Sequence, residues 1–222
     1  MTSAYIMSRV LYRDAVMLVL DKPAGLPVHS DRRGGATLTD WLDELRFGLP
    51  RRPEVAHRLD RDTSGCLVVG RHARALARLG ELFASGQVGK TYWAVVAGHP
   101  PTDEGEIALP VARRSRNPGD WRMRVDQRGL PALTRWRVLG RGADQDQIWM
   151  ELTPVTGRTH QLRVHCAAAG WPILGDATYG GGGGPLMLHA RSVLIPLYPK
   201  KGPILVEAPA PEPMAAALGR PR

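Results

Sequence analysis

His57-Arg58-Leu59-Asp60-Arg61-Asp62-Thr63-Ser64-Gly65 runs without a break into the apolar residues Cys66 to Val69. A Thr-Ser-Gly turn in front of such a run reads as a loop that feeds a buried strand. Loops carried by rigid strands are where proteins concentrate chemistry, which makes Asp60 the first candidate for a reacting group. Arg58 and Arg61 stand on either side of it and supply cations that favour its charged form. On spacing alone, the same residues also describe an Asp that caps a turn and pairs with a surface arginine.

Outward from this loop, Val10 to Tyr12 and Ala15 to Leu20 read as two short strands, the second leading directly into Asp21-Lys22-Pro23. Leu38, Trp41, Leu42 and Leu45 recur at helical spacing between Thr37 and Arg46, with Thr37 or Thr39 as the cap. A second amphipathic helix is predicted from His72 to Ala84, with Leu76, Leu79, Leu82 and Phe83 inward. Arg71, Arg74 and Arg78 are placed on its outer face, as a phosphate-contacting ridge or an ordinary solvated surface. Thr91 to Ala97, Ala132 to Leu139, Ile148 to Thr153 and Leu188 to Ile195 have strand composition, and Thr159 to Ala169 forms a helix ended by Gly170. Strands outnumber helices and do not alternate regularly with them, which predicts a mixed α+β fold. Gly180 to Gly184 cannot hold one conformation cheaply and reads as a mobile loop. It lacks the Lys-[Ser/Thr] ending of a phosphate-binding loop, so no nucleotide cofactor is expected.

Five segments, in order along the chain, resemble the RluA family of RNA pseudouridine synthases. His57-Arg58-Leu59-Asp60 with Thr63-Ser64-Gly65 is similar to the family signature. Asp21-Lys22-Pro23-Ala24-Gly25-Leu26 is similar to its Lys-Pro-x-Gly-Leu segment and Lys90-Thr91-Tyr92 to its Lys-x-Tyr strand. Thr156-Gly157-Arg158-Thr159-His160-Gln161-Leu162-Arg163 matches its Thr-Gly-Arg-x-His-Gln-[Ile/Leu]-Arg motif, with Pro172 to Asp176 and Tyr179-Gly180 behind it. Leu188-His189-Ala190 is the last. The resemblance implies a largely antiparallel central sheet with flanking helices and loops, and an active-site cleft across the sheet. It also implies an isomerase that converts specific uridines of ribosomal or transfer RNA to pseudouridine.

Substrate and product of that reaction are isomers, so no cofactor, metal or group donor is required. The resemblance assigns catalysis to Asp60, with Arg163 as the guanidinium partner of its carboxylate and Tyr92 stacked on the uracil. Asp60 would act as a nucleophile or as a base giving a glycal, and the sequence leaves both routes open. Arg58, Arg61, Arg158 and His160 are the expected RNA-binding residues, Arg58 filling the space of a uridine swung out of its stack. His57, His160, His165 and His189 lack metal-ligand spacing and are read as hydrogen-bonding loop supports.

Composition agrees with an anionic partner. The 222 residues carry 30 Lys and Arg against 21 Asp and Glu, a net charge of +9, and the basic balance is that of nucleic-acid-binding domains. Arg113 to Arg128, with Trp121 and Met123 among arginines, reads as an RNA-contacting flap or a plain solvated hairpin. Cys66 and Cys166 are far apart and suggest buried core positions rather than a disulfide or metal site. With no apolar run long enough for a bilayer and no secretory pattern, a cytoplasmic monomer without membrane contact is expected. Residues 1–208 are assigned to the catalytic domain, or two closely fused lobes, with no room for an appended RNA-binding module ahead of Lys22. Residues 209–222 are assigned to a loosely ordered tail. The rival readings are a non-catalytic RNA-binding protein and a nucleoside or glycoside hydrolase. The latter usually needs a second carboxylate, which neither Asp62 nor Asp176 is marked to supply.

Overall fold

The computed structural model describes residues 2–30, 34–117, 119–142, 146–180 and 182–217. In chain order the elements are α1 (Ser3–Ser8), β1 (Val10–Arg13), β2 (Met17–Lys22), a 3-10 helix (Leu38–Leu45), β3 (Glu54–Val55), β4 (Ser64–Gly70), α2 (Ala73–Ala84) and β5 (Gly89–Ala97). They continue with β6 (Glu104–Ile107), β7 (Val111–Arg113), β8 (Met123–Val125), β9 (Thr134–Arg141), β10 (Gln147–Pro154), α3 (Gln161–Ala168), β11 (Leu188–Ile195), β12 (Ile204–Glu207) and α4 (Glu212–Ala217). Two compact units result, one of residues 1–90 with 190–209 and one of 91–189 with 210–222. Strands dominate and the paired registers are antiparallel, so the mixed, largely antiparallel α+β architecture is what the chain adopts.

In the first unit the strand order is β1-β2-β4-β11, with β12 on β11 and β3 on β4. Every residue of β2 and of β4 is buried, which is why Met17 to Leu20 and Cys66 to Val69 read as continuous apolar stretches rather than alternating ones. Met17, Val19, Cys66 and Val68 share a core cluster with Leu79 and Leu82 of α2. β2 begins at Met17 rather than Ala15 because the Asp14 carboxylate accepts the Val16 and Met17 N–H groups at 2.7 and 2.8 Å, closing a turn there. Leu38–Leu45 winds as a 3-10 helix, its start tied outward by Leu38 N–H to Pro27 O at 2.9 Å and Thr39 N–H to Val28 O at 3.2 Å. Asp40 accepts the Thr37 N–H at 2.8 Å, a reciprocal cap of the kind Thr37 was expected to provide.

His72 caps α2 through its ring, Nδ1 accepting from Ala75 N–H at 3.1 Å. Arg74 and Arg78 are exposed as expected, but Arg71 is not on that face. Its side chain is buried and donates to the backbone oxygens of Asp14 and Arg46. A guanidinium just ahead of a helix is drawn inward here because buried carbonyls of two neighbouring turns need donors.

In the second unit the order is β5-β10-β9-β6, with β7 and β8 forming a separate hairpin. β10 alternates strictly, and its inward residues Ile148, Met150 and Leu152 join Ala94, Val96, Leu162 and Cys166 in one core. On the strands' exposed side, Arg135–Glu106 and Arg137–Glu151 form cross-strand ion pairs, and Arg141 of β9 pairs with Asp103 just ahead of β6. Beneath α3 lies a polar layer. Gln161 Nε2 donates to Leu133 O and Thr134 Oγ1, both at 3.0 Å, while the His165 ring bonds Thr134 Oγ1 and Leu109 O, both at 2.9 Å. Part of the 209–222 segment is regular, α4, with Met214 buried; residues 218–222 lie outside the described residues, as does Gly181 of the glycine run.

Candidate active-site residues

In the first unit, Asp60 sits half-buried between β3 and β4, its backbone oxygen accepting Thr63 N–H at 3.2 Å. The loop is locked to the Lys22–Leu26 segment from both sides. Gly25 N–H donates to Arg61 O at 3.0 Å, and Arg61 Nε donates back to Gly25 O at 3.1 Å. Between them the wholly buried Lys22 Nζ donates to Pro23 O, Leu26 O and Arg61 O at 2.9, 2.8 and 2.9 Å. An ammonium has three donors, and here each meets a backbone carbonyl. Burial pulls Lys22 down to about 7, against the attraction of Asp62, Asp60 and Asp21. Gly65 has φ +104, and a Cβ there would run into the backbone of Ala190, so the turn that ends the loop needs glycine. His57 supports the same loop, accepting Val68 N–H on Nε2 at 3.0 Å and stacking on Phe83 at 4.4 Å. Burial, with help from the Lys90 charge, takes its pKa down to about 3, and the Val68 bond requires the unprotonated ring nitrogen.

In the second unit, Tyr92 lies on β5 opposite Leu152 of β10, half-buried against the core. Arg163 lies in the first half of α3, buried, and its guanidinium is held in a fork by Asp176: Nε to Oδ2 at 2.7 Å and Nη2 to Oδ1 at 2.8 Å. Asp176 Oδ1 also accepts the N–H groups of Thr178 and Tyr179 at 3.0 and 3.2 Å. Burial would raise this carboxyl, but Arg163 and the two N–H groups hold it below the usual carboxylate range. The Tyr179 ring lies 5.1 Å from the guanidinium carbon. Its hydroxyl bonds His160 Nδ1 at 2.8 Å and accepts Met123 N–H of β8 at 2.9 Å. His160 caps α3 in the left-handed region, φ 52, with the exposed Trp121 edge-on at 5.1 Å. The Arg158 side chain, exposed, donates from Nε to Pro131 O at 3.1 Å.

An open concavity of about 370 Å³ is bordered by β8 and α3, lined by Met123, Val125, Val164 and Ala167 together with Arg114 and Arg124. The Arg113 to Arg128 segment is thus a hairpin with arginines displayed on it, of which Arg122 and Arg124 pair with Asp120 and Asp126; Pro118 lies outside the described residues.

The structure thus places Asp60, Arg58 and Arg61 in one unit and Tyr92, Arg158, His160 and Arg163 in the other. Arg58 is exposed, whereas Arg61 is spent partly on Gly25. Three residues carry structural duties that the sequence reading did not assign: Lys22, Asp176 and Tyr179. A lysine closing a buried strand, next to Asp21 after the apolar run Met17 to Leu20, was the signal for the first, and the Gly175-Asp176 and Tyr179-Gly180 pairs were the signal for the others. His57, His160 and His165 do hydrogen-bond neighbouring groups as expected. Among the described residues no group of three or more His, Cys, Asp or Glu is arranged to hold a metal ion. Cys66 and Cys166 are buried free thiols, both pushed up by burial. Among the described residues no helix is long and apolar enough to cross a membrane.

The family model for RNA pseudouridylate synthase matches residues 16–168. An uncharacterised RNA pseudouridine synthase of Zymomonas mobilis is 46% identical over 92% of this chain and 94% of its own length. Ribosomal large subunit pseudouridine synthase C of Haemophilus ducreyi is 38% identical over 83% of this chain, which spans 60% of that relative. Among solved structures, human RNA pseudouridylate synthase domain containing 4 matches with a TM-score of 0.82 at 27% identity, covering 98% of this chain and 94% of the human one. By the family model over most of its length and the identity to these relatives, the chain belongs to the RluA family of RNA pseudouridine synthases and is an RNA isomerase.

Proposed function

We propose that this enzyme isomerises specific uridines of ribosomal or transfer RNA, with Asp60 as the catalytic carboxylate. The observation that carries the assignment is the anchoring of the Asp60 loop. A buried lysine, a reciprocal pair of Gly25–Arg61 bonds and an obligatory glycine all serve to hold a short loop whose most reactive group is that carboxylate. Rigid support of this kind is what a reacting group needs, since a displacement of about 1 Å can cost a hundredfold in rate. Ribosomal RNA is the first substrate to test, because relatives from Haemophilus and Pasteurella are named for the ribosomal large subunit.

In the proposed reaction the bond from ribose C1′ to uracil N1 breaks, the base turns, and C1′ is rejoined to C5; the C5 hydrogen leaves as a proton and N1 takes one up, so the atoms of uridine are conserved. Asp60 starts this by attack or by removing a sugar proton. Arg163 is proposed to hold the reacting carboxylate by a charge-assisted bond and Tyr92 to stack on the uracil. Arg58, exposed beside Asp60, is proposed to fill the gap left by the flipped base, and Arg61, Arg158 and His160 to contact the RNA backbone.

The test is Asp60→Asn. Mapping pseudouridines in ribosomal and transfer RNA from cells with and without the gene identifies the site. On that RNA the variant is expected to bind as the parent does and to form no product. Parent-like product formation by the folded variant would remove Asp60 from the chemistry. A parent protein that binds RNA but changes no uridine in either RNA class would point to the non-catalytic reading.

A further inference from the structure

We infer that Asp176 is a positioning residue for the isomerisation, setting the plane in which Arg163 presents its guanidinium. The inference deepens the proposed function and rests on Arg163 serving that reaction. Both Asp176 oxygens are committed: Oδ2 takes Arg163 Nε, and Oδ1 takes Arg163 Nη2 and the N–H groups of Thr178 and Tyr179. A carboxylate fixed by two backbone donors cannot rotate, and a two-point fork transmits its plane to the guanidinium. The Tyr179 ring against the guanidinium closes a further direction of movement.

Asp176 is itself stationed by β5. Leu174 N–H donates to Val95 O and Met187 N–H to Leu174 O, both at 2.9 Å, so the turn carrying Asp176 is hung on the strand that carries Tyr92. Gly175, φ +76, sits so close to the backbone of Pro185 that a Cβ would collide with it, which keeps the turn tight. The strand that places the tyrosine therefore also places the anchor of the arginine. An ion pair needed for stability alone would not require this, because apolar residues of similar volume often serve as well.

The experiment uses the full chain and total RNA labelled with tritium at uracil C5, from cells lacking the gene. Joining C1′ to C5 releases the label to water, which gives a single-turnover rate. Filter binding of the same RNA gives Kd. Asp176→Asn is expected to slow release about a hundredfold while Kd stays within about twofold, and Asp176→Glu, which keeps the charge but shifts the fork by a methylene, about tenfold. Should Asp176→Asn fail to fold by circular dichroism, Asp176→Glu decides alone. A rate for Asp176→Glu within about twofold of the parent, or a loss of rate matched by an equal loss of affinity, would overturn the inference. Asp60→Asn and Arg163→Lys run in parallel: if both of these also release label like the parent, it is the underlying functional reading that has failed.

Discussion

Lys22 in the first unit and Arg163 in the second are both cations taken almost wholly out of water, and they are satisfied in opposite ways. Lys22 spends its three donors on neutral carbonyls, two from its own turn and one from the Asp60 loop, 39 residues away. Arg163 meets a full negative charge in a planar fork. Backbone carbonyls hold a chain segment in place, so the lysine acts as a rivet for the loop. A carboxylate holds a side chain in one orientation, so the aspartate acts on a direction. Ordering a loop and aiming a guanidinium are different tasks, and each kind of partner suits its own.

The largest test of this contrast is Lys22→Met. It strands the Pro23 and Leu26 carbonyls, while Arg61 O keeps the Gly25 N–H; at about 1–3 kcal/mol for each stranded carbonyl, urea unfolding should show a loss of roughly 2–6 kcal/mol that no single second substitution restores. Its pH dependence sharpens the point. With a folded value of about 7 against an ordinary 10.5, the unfolded chain binds more protons between those limits, so the parent's stability should rise with pH across that window and the variant's should not. A flat parent curve would mean that the carbonyl cage keeps the ammonium charged throughout.

Next comes Asp176→Leu, which leaves the Arg163 charge buried without its fork and should cost about 3–5 kcal/mol. Here a second change should help: Arg163→Met added to it is expected to recover most of the stability in the same urea assay, though not the activity. Failure to recover would make the two cations more alike than the comparison allows.

His57 gives a smaller effect, of the same pH sense as Lys22 and opposite to that of a histidine whose charged form gains a partner. Its folded value is about 3 against 6.5 unfolded, so the neutral ring's contribution is complete above pH 6.5 and is lost as pH falls from 6.5 toward 3. Replacing it with Gln should flatten that part of a thermal-unfolding profile against pH. The smallest expected effect is Tyr179→Phe, which keeps the ring under Arg163 but removes the hydroxyl between His160 and Met123, a loss of about 1 kcal/mol. RNA affinity, read by filter binding, should weaken with it if the β7–β8 hairpin contacts RNA.

Much of the fold was legible because the signals are local. The alternation of β10, the apolar runs of β2 and β4, and the helical spacing of α2 each follow from which face of one element meets a core. The end of α3 at Gly170, φ +87, was equally readable. Arg71 was misplaced for the complementary reason: its partners, Asp14 O and Arg46 O, lie 57 and 25 residues back and leave no mark beside it.

The order of motifs in the chain was enough to determine the chemical family and to nominate Asp60, Tyr92 and Arg163 for the proposed chemistry, because residue types in a fixed order are written in the sequence itself. What only the tertiary structure decided is who holds whom: that Lys22 reaches Arg61 O, and that Arg163 is gripped by Asp176. Hydrogen-bond partners are selected by distance and direction in space, and a string of residues specifies neither until the chain has closed on itself.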